Sequence, residues 1–243
     1  MILHIPHSST YIPPNVSFLK NQIEDDIFRM TDWFTDELFE HENSDRIVCG
    51  VSRLVCDVER FVQDDPMEEY GMGVCYTHDS YGNLFRVYTD EEKNCIINQY
   101  YKPHHSLLTK TISRTLSFVD HAMIVDCHSF NDFPMPHNNY DGARPDFCIG
   151  TDQYHTPQHV IDAMCDVLDF NEVSYQINVP FSGSIVPHQY YRKNKNVWSV
   201  MIEVNKKLYM DGSNKSSTWD RTKSIVDDLL NIIDDMEKNY ENI

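Results

Sequence analysis

What the chain lacks narrows its function first. Positive charge is scarce: 20 Lys and Arg stand against 38 Asp and Glu, for a formal net charge of −18. Nucleic-acid surfaces and anionic membranes both require clustered Lys and Arg, so neither is an expected partner. The seven cysteines never approach closer than seven positions and form no CxxC, which excludes a zinc ribbon and a thioredoxin-like pair. Their odd number and apolar neighbours read as buried free thiols of a reducing compartment. No run reaches the roughly 18 apolar residues of a membrane span. The N-terminal MILHIPHSSTYIPP has neither the basic start nor the long apolar stretch of a signal peptide. A cytoplasmic protein is expected. HExxH and GxSxG are also missing, so neither a helical zinc pair nor a serine elbow announces the chemistry.

What is present suits a globular enzyme. Hydrophobic residues make up 41% and charged residues 24% of 243 residues, with no repeat and no low-complexity tract, so a single domain over 1–243 is expected. Apolar runs at 2–5, 47–51, 54–58, 122–125, 147–150, 173–179 and 197–204 predict strands. Helical spacing predicts one helix over 25–42 and another from Thr156, which can cap it. A third spans 216–240. A long helix opens at Thr89, where Glu92 completes a capping box, with a kink at Pro103. Its predicted inner face is Ile96, Ile97, Tyr100, Leu107, Leu108, Thr111 and Ile112. Strands alternating with helices imply an α/β sheet covered on both faces.

Three polar groups follow directly on apolar strands: His7, the Asp126/His128/Ser129 group, and Glu203 within VMIEVN. Ligands of open α/β sheets bind outside the carboxyl ends of strands. Two histidines and a carboxylate delivered there suit a catalytic zinc with an open fourth position, and a nearby Glu suits a general base. Each histidine also has a plain structural alternative. Glu203 stands out because a carboxylate flanked by apolar residues is costly unless paired or linked to a metal. His104 and His105 adjoin Pro103, where at most one is expected to face the core; His137 and His188 lie in loops.

The segments ILHIPHSSTYIP, TDWFTDELF, VCDVERF, VDCHSF, ARPDFCIGTD, NVPFSG and IEVNKKLYM occur in that order over residues 1–211. In this order they resemble the N-formylglutamate amidohydrolase (formylglutamate deformylase) family. The resemblance implies a three-layer α/β/α sandwich around a mixed sheet, similar to the zinc carboxypeptidases and the phosphorylase/hydrolase-like folds. It implies His7 of PHSS, Asp32 of the TDWFTDELF helix and His128 of DCHS as zinc ligands, zinc being replaceable by another divalent ion. Glu203 of IEVN becomes the general base. On charge alone Asp25, Asp26 or Asp36 would serve as well as Asp32. Asp126 would orient a ligand. Arg60 of DVERF and Arg144 of ARPD become candidate clamps for substrate carboxylates, with structural ion pairs as their alternative.

The chain departs from the family pattern at Ser9, where Gly is usual, at Glu59, where Asn is usual, and at Lys206, where Arg is usual. The implied reaction is hydrolysis of N-formyl-L-glutamate, a small-molecule substrate, to formate and L-glutamate, a late step of histidine degradation. Hydrolysis of another N-acyl amino acid or small amide is the first alternative. A non-catalytic metal- or ligand-binding homologue is the second. Monomer and homodimer are both compatible with the sequence. N-formylglutamate is a dianion, so a chain of charge −18 needs a local reversal of sign from the metal, Arg60 and Arg144.

Overall fold

Alternate residues of the long strands face opposite sides of one sheet, and both sides are covered. The computed structural model describes residues 1–20, 22–133 and 142–239. Strands β1 (Ile2–Ile5), β2 (Asp45–Val48), β3 (Ala122–Phe130), β4 (Phe147–Thr151), β5 (Tyr175–Ile177) and β6 (Val197–Asn205) form a sheet in the order β2-β1-β3-β6-β4-β5. Only the β4–β6 pairing is antiparallel among these, so the sheet is mixed. On one face Leu3, Ile5, Val125, Cys127, Val200 and Ile202 pack against Val160, Met164 and Leu168 of α5 (Gln158–Phe170) and Ile225, Leu229 and Ile233 of α6 (Trp219–Asn239). On the other, Ile2, Ala122, Ile124 and Val197 meet Leu108 and Ile112 of α4 (Lys102–Thr115). This is the expected three-layer α/β/α sandwich.

On that second face, toward the carboxyl ends of the strands, the alternating positions turn polar. His4 pairs in register with Asp126, and His128 with Glu203. All four side chains are buried. Burial on both faces is typical of strands in a covered sheet, so carboxylates there must find partners.

Several predicted elements differ. The helix expected over 25–42 breaks into α1 (Glu24–Met30) and α2 (Thr35–Leu38). Asp32 sits in the break rather than on a helix. Its backbone N–H donates to the His7 carbonyl at 3.0 Å, and Phe34 adopts a left-handed φ of 61°. The apolar stretch 54–58 is no strand: Val55 and Cys56 donate to the Ser52 carbonyl, so these residues are apolar for packing, not for pleating. Thr156 does not cap α5. Its Oγ1 donates to the Ser199 carbonyl at 2.6 Å instead. Five of the seven cysteines are buried, whereas Cys95 is exposed and Cys165 half-buried.

The Thr89 capping box opens α3 (Asp90–Ile96) as expected. A π turn at Ile97–Tyr101 then leads into α4, so the disturbance predicted at Pro103 takes the form of a wide turn just before it. Beyond it Leu107 is exposed while Leu108 is buried. Of the two histidines only His104 is buried, as expected, although the half-buried His105 also finds a partner. The helix lies in a groove between β1 and residues 49–58, which covers both directions: His104 reaches His4, and His105 reaches the Val58 carbonyl at 2.7 Å.

Candidate metal centre and active site

The chain leaving β1 at Pro6 places His7, 1% exposed, beneath the segment 49–58. Its Nε2 donates to Asp57 Oδ1 at 2.9 Å. Asp57 is itself anchored, accepting from Arg53 Nη2 at 2.8 Å and from the Tyr76 hydroxyl at 2.6 Å through Oδ2. Burial opposes its charge, but His7, Arg53 and Arg60 hold the carboxyl well below the usual range. With Nε2 donating to Asp57, Nδ1 is the nitrogen of His7 that faces the site. Among the described residues that buried Nδ1 makes no hydrogen bond.

His128 is held in the same fashion from β3. Its Nε2 lies 3.1 Å from Asp126 Oδ1, and its Nδ1 lies 3.1 Å from Asp32 Oδ2. Asp126 also accepts hydrogen bonds from His4 Nδ1 at 2.7 Å and from the Ile185 N–H at 3.0 Å. His4 Nε2 in turn stands 2.8 Å from His104 Nε2. Burial, with repulsion from His4 and His105, pushes His104 down to about 2, so it is neutral and donates to His4. The chain His104–His4–Asp126–His128 therefore runs from α4 across the sheet into the site.

Asp32 Oδ2 lies between the two imidazoles, 3.5 Å from His7 Nδ1 and 3.1 Å from His128 Nδ1. Burial works against its ionisation, but the bond from His128 and the nearby His7 imidazole lower it well below the usual carboxylate range. Glu59 closes the other side, with Oε1 3.1 Å from His128 Nε2 and Oε2 4.0 Å from His7 Nδ1. Burial disfavours a charged His128, yet Glu59 and Asp126 raise it well above the ordinary imidazole value. Glu203 Oε2 is buried with no hydrogen-bond partner among the described residues. Burial first, then Asp32 and Glu59, push its carboxyl up to about 8, against the pull of His128. Lys206 is buried too, and burial brings it down to about 8 although Asp32 attracts its proton.

These residues fit a divalent cation. Each imidazole has Nε2 turned to an anchoring carboxylate and Nδ1 turned toward Asp32, the arrangement in which carboxylates orient metal-binding histidines. His7, Glu59 and His128 bring ligand atoms within 4.8 Å of one another. A second such group, His4, Glu59 and Asp126, is closed by its own hydrogen bonds. Asp57 is neutralised by Arg53, whereas the ion pairs of Asp32, Glu59 and Asp126 are all with histidines. The three carboxylates have only the imidazoles of His4, His7 and His128 as ion-pair partners, a setting whose negative charge a divalent ion would offset.

The site opens into a cavity of about 580 Å³ whose lining includes His7, Asp32, His128, Glu203, Lys206 and both expected clamps, Arg60 and Arg144. Arg144 is buried, its guanidinium centred 5.8 Å from the Phe130 ring and 5.7 Å from Phe181. Arg60 Nε stands 3.6 Å from Asp57 Oδ2, so this guanidinium is shared between the cavity and a structural carboxylate. His188 also lines the cavity, while His137 lies outside the described residues.

The N-formylglutamate amidohydrolase family profile matches residues 1–210. The chain belongs to the N-formylglutamate amidohydrolase family. Among curated proteins it is similar to the N-formylglutamate deformylase of Pseudomonas putida, 24% identical over 193 residues, which are 74% of this chain and 71% of that protein. The crystal structure of N-formylglutamate amidohydrolase from Ralstonia eutropha superposes with a TM-score of 0.84, at 19% identity, covering 98% of this chain and 94% of that one. A gene product of Agrobacterium tumefaciens superposes with a TM-score of 0.66 at 17% identity, covering 96% and 91%. The chain is thus an amidohydrolase-family enzyme with the family's fold. No helix among the described residues is long and apolar enough to cross a membrane.

The fold of this family member brings His7, Asp32, His128 and Glu203 together around one cavity, with Arg60 and Arg144 on its wall. Sequence reasoning missed Asp57, Arg53, His4 and His104. Asp57 carried a signal, an acidic residue among Val55, Cys56 and Val58, all buried. Glu59 stood out in the sequence only as a departure from the family pattern, whereas in the fold it faces the two histidines.

Proposed function

We propose that the chain hydrolyses the formyl C–N bond of N-formyl-L-glutamate, giving formate and L-glutamate. The observation that carries this reading is the pair of imidazoles, each oriented by its own carboxylate and turned onto a shared Asp32. In this reading His7, Asp32 and His128 hold zinc or another divalent ion. A divalent ion there polarises an acyl oxygen and acidifies a water molecule. Glu203 accepts the proton of the attacking water and returns it to the amine nitrogen as the C–N bond breaks. Burial moves its carboxyl toward neutrality, which suits a group that must both take and give a proton. Arg144 binds a substrate carboxylate in a bidentate pair, and the aromatic rings beside it exclude water from that pair. Arg60, also on the cavity lining, contributes charge while tied to Asp57. The substrate is a small molecule, and a cytoplasmic setting goes with it.

A second reading keeps the chemistry and changes the amino acid. Glu59 sits next to Arg60 in sequence and at the site in space, which favours N-acyl amino acids less acidic than glutamate. The test is formate or acyl release by the purified protein from N-formyl-L-glutamate and from neutral N-formyl and N-acetyl amino acids. Release should stop on chelation and resume on adding Zn²⁺ or another divalent ion. Turnover that survives chelation, or no release from any substrate, overturns the proposal.

A further inference from the structure

Among the described residues, Arg29, Arg53, Arg60, Arg144 and Lys206 are the Lys and Arg side chains that line the cavity. Arg53 and Arg60 are tied to Asp57, and Arg29 lies against the rings of Tyr81 and Phe133. Lys206 is placed differently. It is 8% exposed and follows directly on β6, the strand that carries Glu203. Its Nζ donates to Asn131 Oδ1 at 3.2 Å and to the Arg29 carbonyl at 3.5 Å, both neutral acceptors. Among the described residues it has no carboxylate as an ion-pair partner. An ammonium has three protons to donate, so one is left over for the cavity. A buried cation with only neutral partners is costly to the fold, which points to a counter-charge that arrives with the ligand.

The same ammonium stands at the reacting end of the site. Asn131 Nδ2 donates to the Arg29 carbonyl at 2.8 Å, which turns the amide oxygen of Asn131 to Lys206. Arg29 lies in the last turn of α1, just before the break that carries Asp32, and of the surrounding charges Asp32 attracts Lys206 most. Lys206 and Arg144 also leave neighbouring backbones. Asn205 donates its N–H to the Asp146 carbonyl at 2.9 Å and its Nδ2 to the Pro145 carbonyl at 3.1 Å. In an N-acyl amino acid, the carboxylate on the carbon that bears the amide nitrogen stays beside the scissile bond whatever the side chain. We propose that Lys206 binds this α-carboxylate, leaving Arg144 for a side-chain carboxylate. The proposal rests on the hydrolase reading given above. It makes the α-carboxylate a requirement common to acidic and neutral substrates.

The experiment measures formate release by the full chain from N-formyl-L-glutamate, N-formyl-L-leucine and the α-amides of both. The wild type should favour each acid over its α-amide about 10–100-fold in kcat/KM, the worth of one charge-assisted hydrogen bond. Lys206→Met should raise KM about 10–100-fold for both acids, with kcat close to wild type, and leave the α-amides unchanged. Lys206→Gln should do the same, and it serves if Lys206→Met fails to fold. Losses equal on acids and α-amides would make Lys206 a support for Asp32 and overturn the proposal. A wild type indifferent to the α-amide overturns it as well. So does a KM raised for the glutamate substrate alone, which would move Lys206 to the side-chain carboxylate. No formate from any of the four compounds with the wild type overturns the hydrolase reading itself.

Discussion

Asp57 Oδ1 accepts a hydrogen bond from His7 Nε2 at 2.9 Å, and this one bond decides which nitrogen of His7 remains available to the site. The same carboxylate is clasped by Arg53 and Tyr76, so its position is set before any ligand arrives. Asp57→Asn should therefore weaken divalent-ion binding about 10–100-fold without removing any ligand. Calorimetric titration of the stripped protein measures it. Affinity equal to wild type would show that Asp57 serves only Arg53.

Glu203 is adjacent in register to His128, on the neighbouring strand, and its Oε2 makes no hydrogen bond among the described residues, so an amide there disturbs the proton path and not the fold. Glu203→Gln should lower kcat about 10²–10⁴-fold while metal content and KM stay close to wild type. Steady-state kinetics with metal analysis on the same sample decides it. Full activity would exclude Glu203 as the proton carrier.

Arg144 and Arg60 differ in what else they hold. Arg144→Gln should raise KM for N-formyl-L-glutamate about 10–100-fold and leave neutral N-formyl amino acids unaffected. Arg60→Gln should harm all substrates alike, because Asp57 loses part of its support. Equal losses across substrates for Arg144→Gln would remove it as a carboxylate clamp.

His105 links pH to stability. Burial, partly offset by its bond to the Val58 carbonyl, brings it from 6.5 down to about 4. In the unfolded chain it binds a proton below about 6.5, while the folded chain resists until about 4. Its contribution is intact above 6.5 and is lost as pH falls through that window, at up to about 1.4 kcal/mol per pH unit. Urea unfolding at pH 7.5 and 5.5 should show a smaller drop for His105→Gln than for wild type. Equal drops would place the acid sensitivity elsewhere.

The sheet and its polar ends were legible because strands buried on both faces write unbroken apolar runs, and His7, Asp126, His128 and Glu203 interrupt or end them. The order of matching segments carried Asp32, which charge alone could not separate from Asp25, Asp26 and Asp36. The break around Asp32 was not legible, since it depends on a bond to the His7 carbonyl from a different element. Residues 54–58 misled for the opposite reason: Leu54, Val55, Cys56 and Val58 are apolar enough for a strand but are buried in a turning segment. His4 and Asp57 escaped notice because each reads locally as one polar residue in an apolar run, and its partner lies about 50 or more positions away.

The wide turn at Ile97–Tyr101 holds about one residue more than an α-helix would place there. The extra residue is slack in this stretch: removing it would let the turn close as ordinary α-helix and keep His104 on His4 and His105 on Val58. Removing a residue between Lys102 and His104, where the helix is regular, would instead rotate both imidazoles by about 100°.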